Sequence, residues 1–538
     1  MRLASNVDTD DADFAERRAA LLGAIEQFRA LEARVRAESA KAKPLFDKRG
    51  QLLPRERVAR LLDPGAAFLE LSTMAGCGMD TADSAKSVPG GGNIAGIGFV
   101  SGVRCCVLAT DSGIDAGALQ PQGLEKMLRA QHVALENKLP FIHLVESAGA
   151  NLLKYRVEHF IRGGGIFYNL AKLSAAGMPV ITVVHGSSTA GGAYMPGLSD
   201  YVIMVRGRAK AFLAGPPLLK AATGEIATDE ELGGAEMHSF VSGLSEYLAE
   251  DDADAIRYAR EIVAALDWNK DLEPRASKYL PPAYDAEELL GIVPADLRQP
   301  LDMREIIARI VDGSDFLEFK ANYGAATLVG HAAITGMRVG IVTNNGPLDP
   351  AGANKATHFI QACCQSGTPI IYLQNTTGYI VGKASEAGGI IKHGAKMIQA
   401  VTNATVPQIT LMCGASFGAG NYGMCGRAYN PRFIFSWPNA RTAVMGPEQA
   451  ATTMAIVMEA AQKRKGGEVD RAGIDAMREK IISTFARQMG AIYTSALLLD
   501  DGIIDPRDTR NVLSFTLATC LEADRRRVRP IQFGVARP

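Results

Sequence analysis

The sequence lacks the features that mark zinc-binding, membrane-spanning and nucleic-acid-binding proteins. Its eight cysteines form no C-x-x-C pair, which argues against a zinc ribbon, and several lie in apolar runs, as thiols do in a reducing compartment. The 57 basic and 58 acidic residues leave a net charge of -1, so the sequence offers no basic surface for nucleic acid or an anionic membrane. No run of about 18 or more apolar residues is present, and we therefore expect no membrane span.

The N-terminus also lacks the apolar stretch of a secretory signal, and its acidic residues argue against a mitochondrial targeting peptide. We therefore expect a cytoplasmic, bacterial-type protein rather than one of the mitochondrial matrix. Hydrophobic residues make up 47% of the chain and charged residues 21%, which is typical of a folded globular protein. With 538 residues the chain is expected to contain more than one domain.

What the sequence does contain is a duplication. Residues 179–194 read PVITVVHGSSTAGGAY, residues 407–422 read PQITLMCGASFGAGNY, and the two segments align without gaps. Each segment begins with proline, continues as a short apolar strand and ends in a glycine-rich turn. Because glycine has no Cβ, such a turn can bring backbone N–H groups close to a ligand.

The duplication extends beyond these two segments. Strands that alternate with helices in both halves predict an α/β fold with two homologous domains in tandem. We place an N-terminal helical extension at 1–44, one domain at 45–295 and the second at 300–538, joined by a linker rich in proline and charge. The other corresponding pairs are a predicted hairpin at 96–111 with 330–345, a strand at 139–147 with 368–376, and a turn at 212–217 with 443–448.

Two glycine-rich motifs suggest other chemistry but lack the required context. The run PGGGNIAGIG at 89–98 resembles a dinucleotide-binding loop, but it leads into a predicted strand rather than a helix. The motif GASFG at 414–418 matches the G-x-S-x-G nucleophile elbow. An α/β-hydrolase needs a histidine after this serine, however, and the last histidine of the chain is His393. We therefore expect neither a nucleotide site nor a serine nucleophile.

The sharpest signal is the pair of glycine-rich turns, which we call the two cradles: Gly191-Gly192 and Ala419-Gly420. Each follows a strand and precedes a predicted helix, so its backbone N–H groups, aided by the helix dipole, suit an oxyanion. The alternative is that small residues only allow a helix to pack closely on the sheet. His185 beside the first cradle is either a base or a buried, hydrogen-bonded histidine. The second interpretation is favoured, since the equivalent residue of the other copy is a cysteine.

Several longer stretches carry a family resemblance: VPGGGNIAGIGFVSG, STAGGAYMPGLSD, GPPLLKAATGE, ELGGAEMHSFVSG and GASFGAGNYGMCGRAYNPRFIFSWPNARTAVMG. With them the chain resembles the carboxyltransferase (β) subunits of biotin-dependent acyl-CoA carboxylases over nearly its whole length. The stretches NYGMCGRAY and FSWPNAR are most similar to the 3-methylcrotonyl-CoA and geranyl-CoA carboxylases. The resemblance implies two crotonase-like (ClpP-type) domains, with acyl-CoA on the N-terminal domain and carboxybiotin reaching it from the C-terminal domain of a neighbouring subunit.

The resemblance also implies a role for each cradle. The N–H groups of Gly191 and Gly192 would hold the enolate oxygen of a coenzyme A thioester, and those of Ala419 and Gly420 the ureido oxygen of biotin. The biotin anion can take the substrate proton, so neither a side-chain base nor a metal is expected in this subunit. The substrate-binding residues implied are Ala190, Tyr194, Phe417, Gly418 and Tyr422. The two tyrosines either line the pocket or pack against the fold.

The chain departs from the methylcrotonyl-type pattern at 159–169, which reads HFIRGGGIFYN where that pattern reads roughly HFGRIFYN. We predict a loop here, at the acyl pocket. Gly163, Gly164 and Gly165 would widen this pocket, and we hypothesise that it accepts a longer acyl chain.

No AMKM-type biotinylation site and no ATP-grasp domain can be identified beside the two domains. A separate biotin-carrying α subunit, which consumes ATP and bicarbonate, is therefore implied. Relatives assemble as β hexamers, trimers of dimers, within complexes of six α and six β subunits. We expect no nucleic-acid or membrane partner. The alternatives are a propionyl- or acetyl-CoA carboxylase β subunit, the carboxyltransferase of a biotin-dependent decarboxylase, and a binding subunit with degenerate sites.

Overall fold

The computed structural model describes residues 2–81, 83–147, 156–270, 272, 278–294, 299–464, 466, 469–532 and 534. They form two compact units. The N-terminal unit comprises the described residues of Ala30–Arg275, Ala496–Leu498 and Thr519–Pro538, and the C-terminal unit those of Met1–Arg29, Ala276–Ser495 and Leu499–Ala518. The domain limits given above stay predictions, and residues 295–298 at the predicted junction lie outside the described residues.

The first half of the chain supplies the sheet of the N-terminal unit. Its helices are α1 (Ala12–Ala40), α2 (Lys43–Lys48), α3 (Pro54–Leu61), α4 (Pro121–Glu136), α5 (Val157–Ala175), α6 (Tyr194–Gly197), α7 (Pro216–Thr223), α8 (Asp229–Gly233), α9 (Ala235–Met237) and α10 (Asp252–Ala265). Its strands are β1 (Leu69–Glu70), β2 (Asn93–Val100), β3 (Val103–Thr110), β4 (Phe141–Ser147), β5 (Val180–Thr189), β6 (Tyr201–Val205), β7 (Lys210–Phe212) and β8 (Tyr247–Ala249).

The second half supplies the sheet of the C-terminal unit. Its helices are α11 (Leu289–Ile292), α12 (Met303–Ile310), α13 (Pro350–Ser366), α14 (Lys383–Ala387), α15 (Ile390–Thr402), α16 (Gly420–Gly423), α17 (Pro447–Arg464), α18 (Arg471–Gln488), α19 (Ala491–Ala496) and α20 (Thr509–Arg525). Its strands are β9 (Leu317–Glu318), β10 (Thr327–Ile334), β11 (Met337–Asn344), β12 (Ile370–Thr376), β13 (Gln408–Phe417), β14 (Phe433–Ser436) and β15 (Arg441–Ala443).

The two sheets have corresponding strand orders. The N-terminal sheet runs β1-β2-β3-β4-β5-β6-β8 with β7 beside β5, and the C-terminal sheet runs β9-β10-β11-β12-β13-β14 with β15 beside β13. In each sheet the first three strands pair antiparallel and the following ones parallel. The prediction of an α/β fold built from two homologous domains is therefore confirmed.

The predicted hairpins show how closely the two copies agree. Ser101 and Gly102 connect β2 to β3 with φ values of 50° and 76°, which is the left-handed pair of a type I′ turn. The Asp63 carboxylate accepts hydrogen bonds from both of their N–H groups, at 2.8 and 2.7 Å. The second hairpin repeats this arrangement with Thr335, Gly336 and Asp312.

Each sheet is covered by helices that bury its apolar strands. In the N-terminal unit α3 and α10 pack on β3 to β6, and in the C-terminal unit α13 and α15 pack on β10 to β12. Parallel strands buried on both faces are expected to be apolar along their whole length, and every residue of β13 is buried. Each core thus supports one long central strand, β5 or β13, that ends in a cradle.

Candidate active site

Strands β5 and β13 both change neighbours partway along their length. The first part of β5 pairs with β6 and its last residues, 187–189, pair with β7. The first part of β13 pairs with β14 and its last residues, 415–417, pair with β15. In between, the pairing with β4 or β12 shifts, because β5 and β13 advance four residues where their neighbours advance two. Such bulges bend a strand and redirect the residues after the bend, and here those residues form the cradle.

A glycine at each bend lets a side-chain oxygen of the neighbouring strand approach closely. A Cβ added to Gly186 would lie 2.6 Å from Oε1 of Glu146, and one added to Gly414 would lie 2.5 Å from Oδ1 of Asn375. Since Cβ atoms are not found this close to other heavy atoms, a larger residue at either position would force the neighbouring side chain to move. Glu146 and Asn375 occupy equivalent places near the ends of β4 and β12. No sequence motif singled out these two residues. Their equivalent positions in the aligned strands 139–147 and 368–376 are the signal that could have found them.

The cradles begin with equivalent backbone turns. Ala190 and Gly418 both have a φ of 55°, in the left-handed region. This region costs a residue with a Cβ about 1–2 kcal/mol, so Ala190 is held in a strained conformation that its glycine counterpart adopts freely. The conformation turns the chain out of the strand, and the paired small residues of each cradle come directly after it.

The N–H groups of the cradles lie where each central strand passes into a short helix. The N–H of Ala419 donates no hydrogen bond within the described part of the chain. Gly191 and Gly192 lie in a 3-10 helix, Ala190–Ala193, and Gly420 is the first residue of α16, and ligand binding by these N–H groups stays a prediction. Gly191 and Ala419 are exposed, Gly192 is half-buried and Gly420 is buried. The helices that follow, α6 and α16, have only four residues each. The expected contribution of a long helix dipole is therefore absent from both described cradles, and the amides themselves must supply the positive potential.

The aromatic residues near the cradles are partly exposed. Tyr194 is 49% exposed and meets the edge of Phe167, with ring centroids 5.9 Å apart. Tyr422 is 47% exposed, and its ring packs against that of Tyr429 with the ring centroids also 5.9 Å apart. Both tyrosines therefore pack on one side and present the other to solvent. Phe417, in contrast, is buried at the end of β13. Their predicted contact with substrate stays a prediction.

The glycine run at 163–165 is not a loop as predicted. Gly163, Gly164 and Gly165 lie inside helix α5, a 19-residue helix. Glycine costs a helix about 1 kcal/mol per residue relative to alanine, which is why the sequence favoured a loop. Tertiary packing overrides this cost, because the residues that follow the glycines bury one face of the helix. These buried residues are Ile166, Leu170, Leu173 and Ser174.

Helix α5 lies against the first cradle through Phe167. A Cβ added to Gly191 would lie 3.5 Å from Cζ of that ring. Gly163 and Gly164 precede Phe167 by four and three residues, so they lie on the same face of the helix, one turn away. A Cβ added to either glycine would have no atom within 4 Å. The helix therefore leaves open space next to the first cradle.

His185 belongs to a buried charged network behind this cradle. The histidine is fully buried and its Nδ1 lies 2.8 Å from Oδ1 of Asp252. Arg57 donates to Oδ2 of Asp252 at 3.1 Å and to Oε2 of Glu146 at 2.6 Å. Burial and the nearby Arg57 lower the pKa of His185, so the ring is neutral and withdrawn from solvent. The interpretation as a buried, hydrogen-bonded histidine is confirmed.

The carboxylate partner of this histidine is strongly ionised. Burial alone would raise the pKa of Asp252, but the hydrogen bonds from His185, the charge of Arg57 and the N–H of Leu52 hold it at about 2. The carboxylate therefore stays charged at neutral pH and keeps Arg57 bound behind β5.

The serine of the GASFG motif is not presented as a nucleophile. Ser416 is fully buried in β13, and its Oγ donates to Oε1 of Gln374 at 2.5 Å. It accepts a hydrogen bond from Nδ2 of Asn421 at 2.7 Å. The other rejected motif, PGGGNIAGIG, leads into β2 as expected. Neither motif forms the site that its pattern suggested.

No group of three or more His, Cys, Asp or Glu side chains in the described ranges is placed to hold a metal ion. The expectation of a metal-free subunit nevertheless stays a prediction. All eight cysteines are unpaired, and six of them are buried. Within the same ranges no helix combines the length and apolar character needed to cross a bilayer.

Known proteins resemble this chain over nearly its full length. The carboxyl transferase domain family matches residues 47–532. A probable biotin-dependent acyl-coenzyme A carboxylase beta2 subunit from Mycobacterium tuberculosis is 49% identical over 96% of both chains. The mitochondrial methylcrotonoyl-CoA carboxylase beta chain of Dictyostelium discoideum is 47% identical over 88% of this chain and 80% of its own. The crystal structure of the geranyl-CoA carboxylase beta subunit from P. aeruginosa is 53% identical over 100% of both chains, with a TM-score of 0.93. The protein therefore belongs to the carboxyl transferase family and is a carboxyltransferase β subunit of the biotin-dependent acyl-CoA carboxylases, of the methylcrotonoyl-CoA and geranyl-CoA carboxylase type.

Proposed function

We propose that this chain transfers a carboxyl group from carboxybiotin to a branched, unsaturated acyl-CoA, such as 3-methylcrotonyl-CoA, geranyl-CoA or a longer relative. The observation that carries the proposal is the pair of cradles, in each of which two small residues follow a left-handed turn at the end of a central strand. Two donors of fixed direction suit an oxygen on which negative charge develops during a reaction. The chain offers this arrangement twice, and the transfer creates two such oxygens.

The first cradle serves the acyl-CoA. Loss of a proton from the saturated carbon that is vinylogous to the thioester carbonyl places negative charge on the carbonyl oxygen. The N–H groups of Gly191 and Gly192 stabilise this charge, and Ala190 fixes their direction through its left-handed turn. Phe167 of α5 lies beside this cradle and would offer an apolar surface to the acyl chain.

The second cradle serves biotin. Carboxybiotin supplies the CO2 and, once it has released it, a base for the substrate proton. The N–H groups of Ala419 and Gly420 fit the urea oxygen of this group, because that oxygen is an acceptor and the N–H of Ala419 donates no hydrogen bond within the described residues. His185 is buried and neutral, and it therefore takes no part as a base.

The proposed partner and assembly follow from the separate roles of the two cradles. We propose that a biotin-carrying α subunit delivers carboxybiotin, that the β chains form a hexamer as a trimer of dimers, and that six α subunits attach to it. The first cradle of one subunit would face the second cradle of a neighbour. ATP and bicarbonate would be consumed by the α subunit, in the cytoplasm of a bacterium.

The open space beside Gly163 favours a long acyl chain, and a panel of acyl-CoAs assayed with the cognate α subunit, ATP and bicarbonate tests this. We expect the highest kcat/KM with a long branched acyl-CoA. Gly163→Leu should lower kcat/KM for the long substrate about tenfold or more, since an apolar pocket gains or loses about 1–3 kcal/mol per methylene that no longer fits.

Gly163→Ala is the matched control for this experiment. It should keep the long-chain preference and raise the stability of α5 by up to about 1 kcal/mol, because alanine is the better helix former. A wild-type protein that strictly prefers the short substrate would overturn the assignment of the long acyl chain. Preferred turnover of acetyl-CoA or propionyl-CoA would favour the alternative carboxylases.

A further inference from the structure

The two cradles begin with the same left-handed turn, at Ala190 and Gly418, but are held by different side chains. In the first cradle Oγ of Ser188 donates to the carbonyl oxygen of Gly192 at 2.9 Å. Ser188 is fully buried at the end of β5, so this hydrogen bond fastens the turn directly to the strand that it leaves. A Cβ added to Gly192 would lie 3.5 Å from the same Oγ, at ordinary van der Waals distance. This hydroxyl is the side-chain support of the cradle, beside the backbone hydrogen bonds of the short 3-10 helix Ala190–Ala193.

The equivalent serine of the second cradle makes other bonds. The carbonyl of Gly420 already accepts the N–H of Met424 at 3.0 Å. Ser416 instead bonds Gln374 on β12 and Asn421 on α16, at 2.5 and 2.7 Å. Nε2 of Gln374 then donates to the carbonyl oxygen of Met424 at 2.6 Å. This chain of three side chains connects both ends of α16 to the sheet.

The amino-acid sequence explains why the supports differ. In the gapless alignment Asn421 corresponds to Ala193, and in the aligned strands Gln374 corresponds to Val145. The first cradle therefore has an apolar residue at each position where the second has an amide. Ser188 therefore has no side-chain amide to bond at these two positions, and its Oγ donates to the carbonyl oxygen of Gly192 instead.

We propose that Ser188 is the positioning residue of the acyl-CoA cradle, and that Gln374, Ser416 and Asn421 position the biotin cradle, so that loss of the first support slows carboxyl transfer alone and loss of the second slows both CO2 release and transfer. This inference rests on the proposed function. It assigns to these four side chains a role that acts through the backbone amides and not through contact with substrate.

Two assays on the assembled complex separate the two cradles. The first measures carboxyl transfer to the acyl-CoA. The second measures decarboxylation of carboxybiotin without acyl-CoA, in which the nitrogen–carboxyl bond breaks, its electron pair stays on the ureido group, and solvent supplies the proton. Only the biotin cradle acts in the second assay.

Ser188→Ala should lower kcat for transfer about tenfold, because the freed turn no longer aims both N–H groups at one point. KM for acyl-CoA should change little, and decarboxylation should stay near the wild-type rate. Asn421→Ala should lower both rates about tenfold, because CO2 release precedes transfer. Ser188→Cys, which keeps a weak donor of similar size, should show an intermediate transfer rate.

Ser245→Ala is the matched control, since Ser245 is a buried serine of the same unit whose Oγ donates to a carbonyl, that of Tyr247, at 3.0 Å. It should leave both rates unchanged. The inference is overturned if folded Ser188→Ala slows both reactions equally or neither, or if Asn421→Ala spares decarboxylation. If the Ser188→Ala protein fails to assemble, Ser188→Cys is measured in its place. The inference is then overturned if Ser188→Cys slows both reactions equally or neither. A wild-type complex that carboxylates no acyl-CoA would instead overturn the proposed function.

Discussion

Replacing Gly191 with leucine should lower the rate of carboxyl transfer at least about 100-fold, which is the usual effect of losing one oxyanion donor. The backbone at Gly191 is outside the left-handed region, and an added Cβ would make only an ordinary contact with Phe167 at 3.5 Å. Leucine can therefore be accommodated without refolding. Its side chain would extend over the exposed face of the cradle and keep the carbonyl oxygen away from the N–H groups.

The measurement is kcat for incorporation of labelled bicarbonate into acyl-CoA by the complete complex, together with the thermal midpoint of the variant. Gly197→Leu is the matched control. Gly197 lies six residues further along in α6, and an added Cβ would have no atom within 4 Å. This variant should keep nearly full activity. Full activity of a folded, assembled Gly191→Leu protein would contradict the assignment of the cradle.

Replacing Arg57 with leucine should destabilise the N-terminal unit by about 3–5 kcal/mol, the range for removing one partner from a buried ionic network. Arg57 is 2% exposed and bonds the carboxylates of Glu146 and Asp252. Without the guanidinium, two carboxylates would remain close together behind β5 with one counter-charge fewer. The pKa of Asp252 would then rise from its value of about 2, because an attractive positive charge is lost.

Urea-induced unfolding measures this effect when it is monitored by the fluorescence of Trp268, in the N-terminal unit, in a Trp437→Phe background that removes the other tryptophan. Arg257→Leu is the control, because Arg257 pairs with Asp254 and Glu261 on the exposed face of α10. Exposed pairs contribute about 0–1 kcal/mol, so the control should be nearly neutral. A loss of less than about 1 kcal/mol for Arg57→Leu would show that the network is not needed for stability.

The sequence predicted the cradles because the duplication aligned their small residues without gaps. It also predicted the hairpins, since Ser101-Gly102 and Thr335-Gly336 follow local turn chemistry that needs no knowledge of the rest of the fold. These features are local in sequence or repeated in it. Both kinds of signal are readable without coordinates.

The sequence was misleading where tertiary packing overrides local preference. Three consecutive glycines favour a loop, but α5 forms because its buried face is fixed by the fold. The network around Arg57 was not predicted either, because its partners Glu146 and Asp252 are 89 and 195 residues away. The different hydrogen bonds of Ser188 and Ser416 could have been predicted from the sequence. The residues of the first copy that align with Asn421 and Gln374 are apolar and offer Ser188 no side-chain partner.

The most direct test of the central claim is a structure of the assembled complex with acyl-CoA and biotin bound. The account predicts that the thioester oxygen lies about 2.7–3.1 Å from the N–H nitrogens of Gly191 and Gly192, and that the ureido oxygen lies equally close to those of Ala419 and Gly420. A complex in which side chains hold either oxygen, while these four amides face elsewhere, would contradict it.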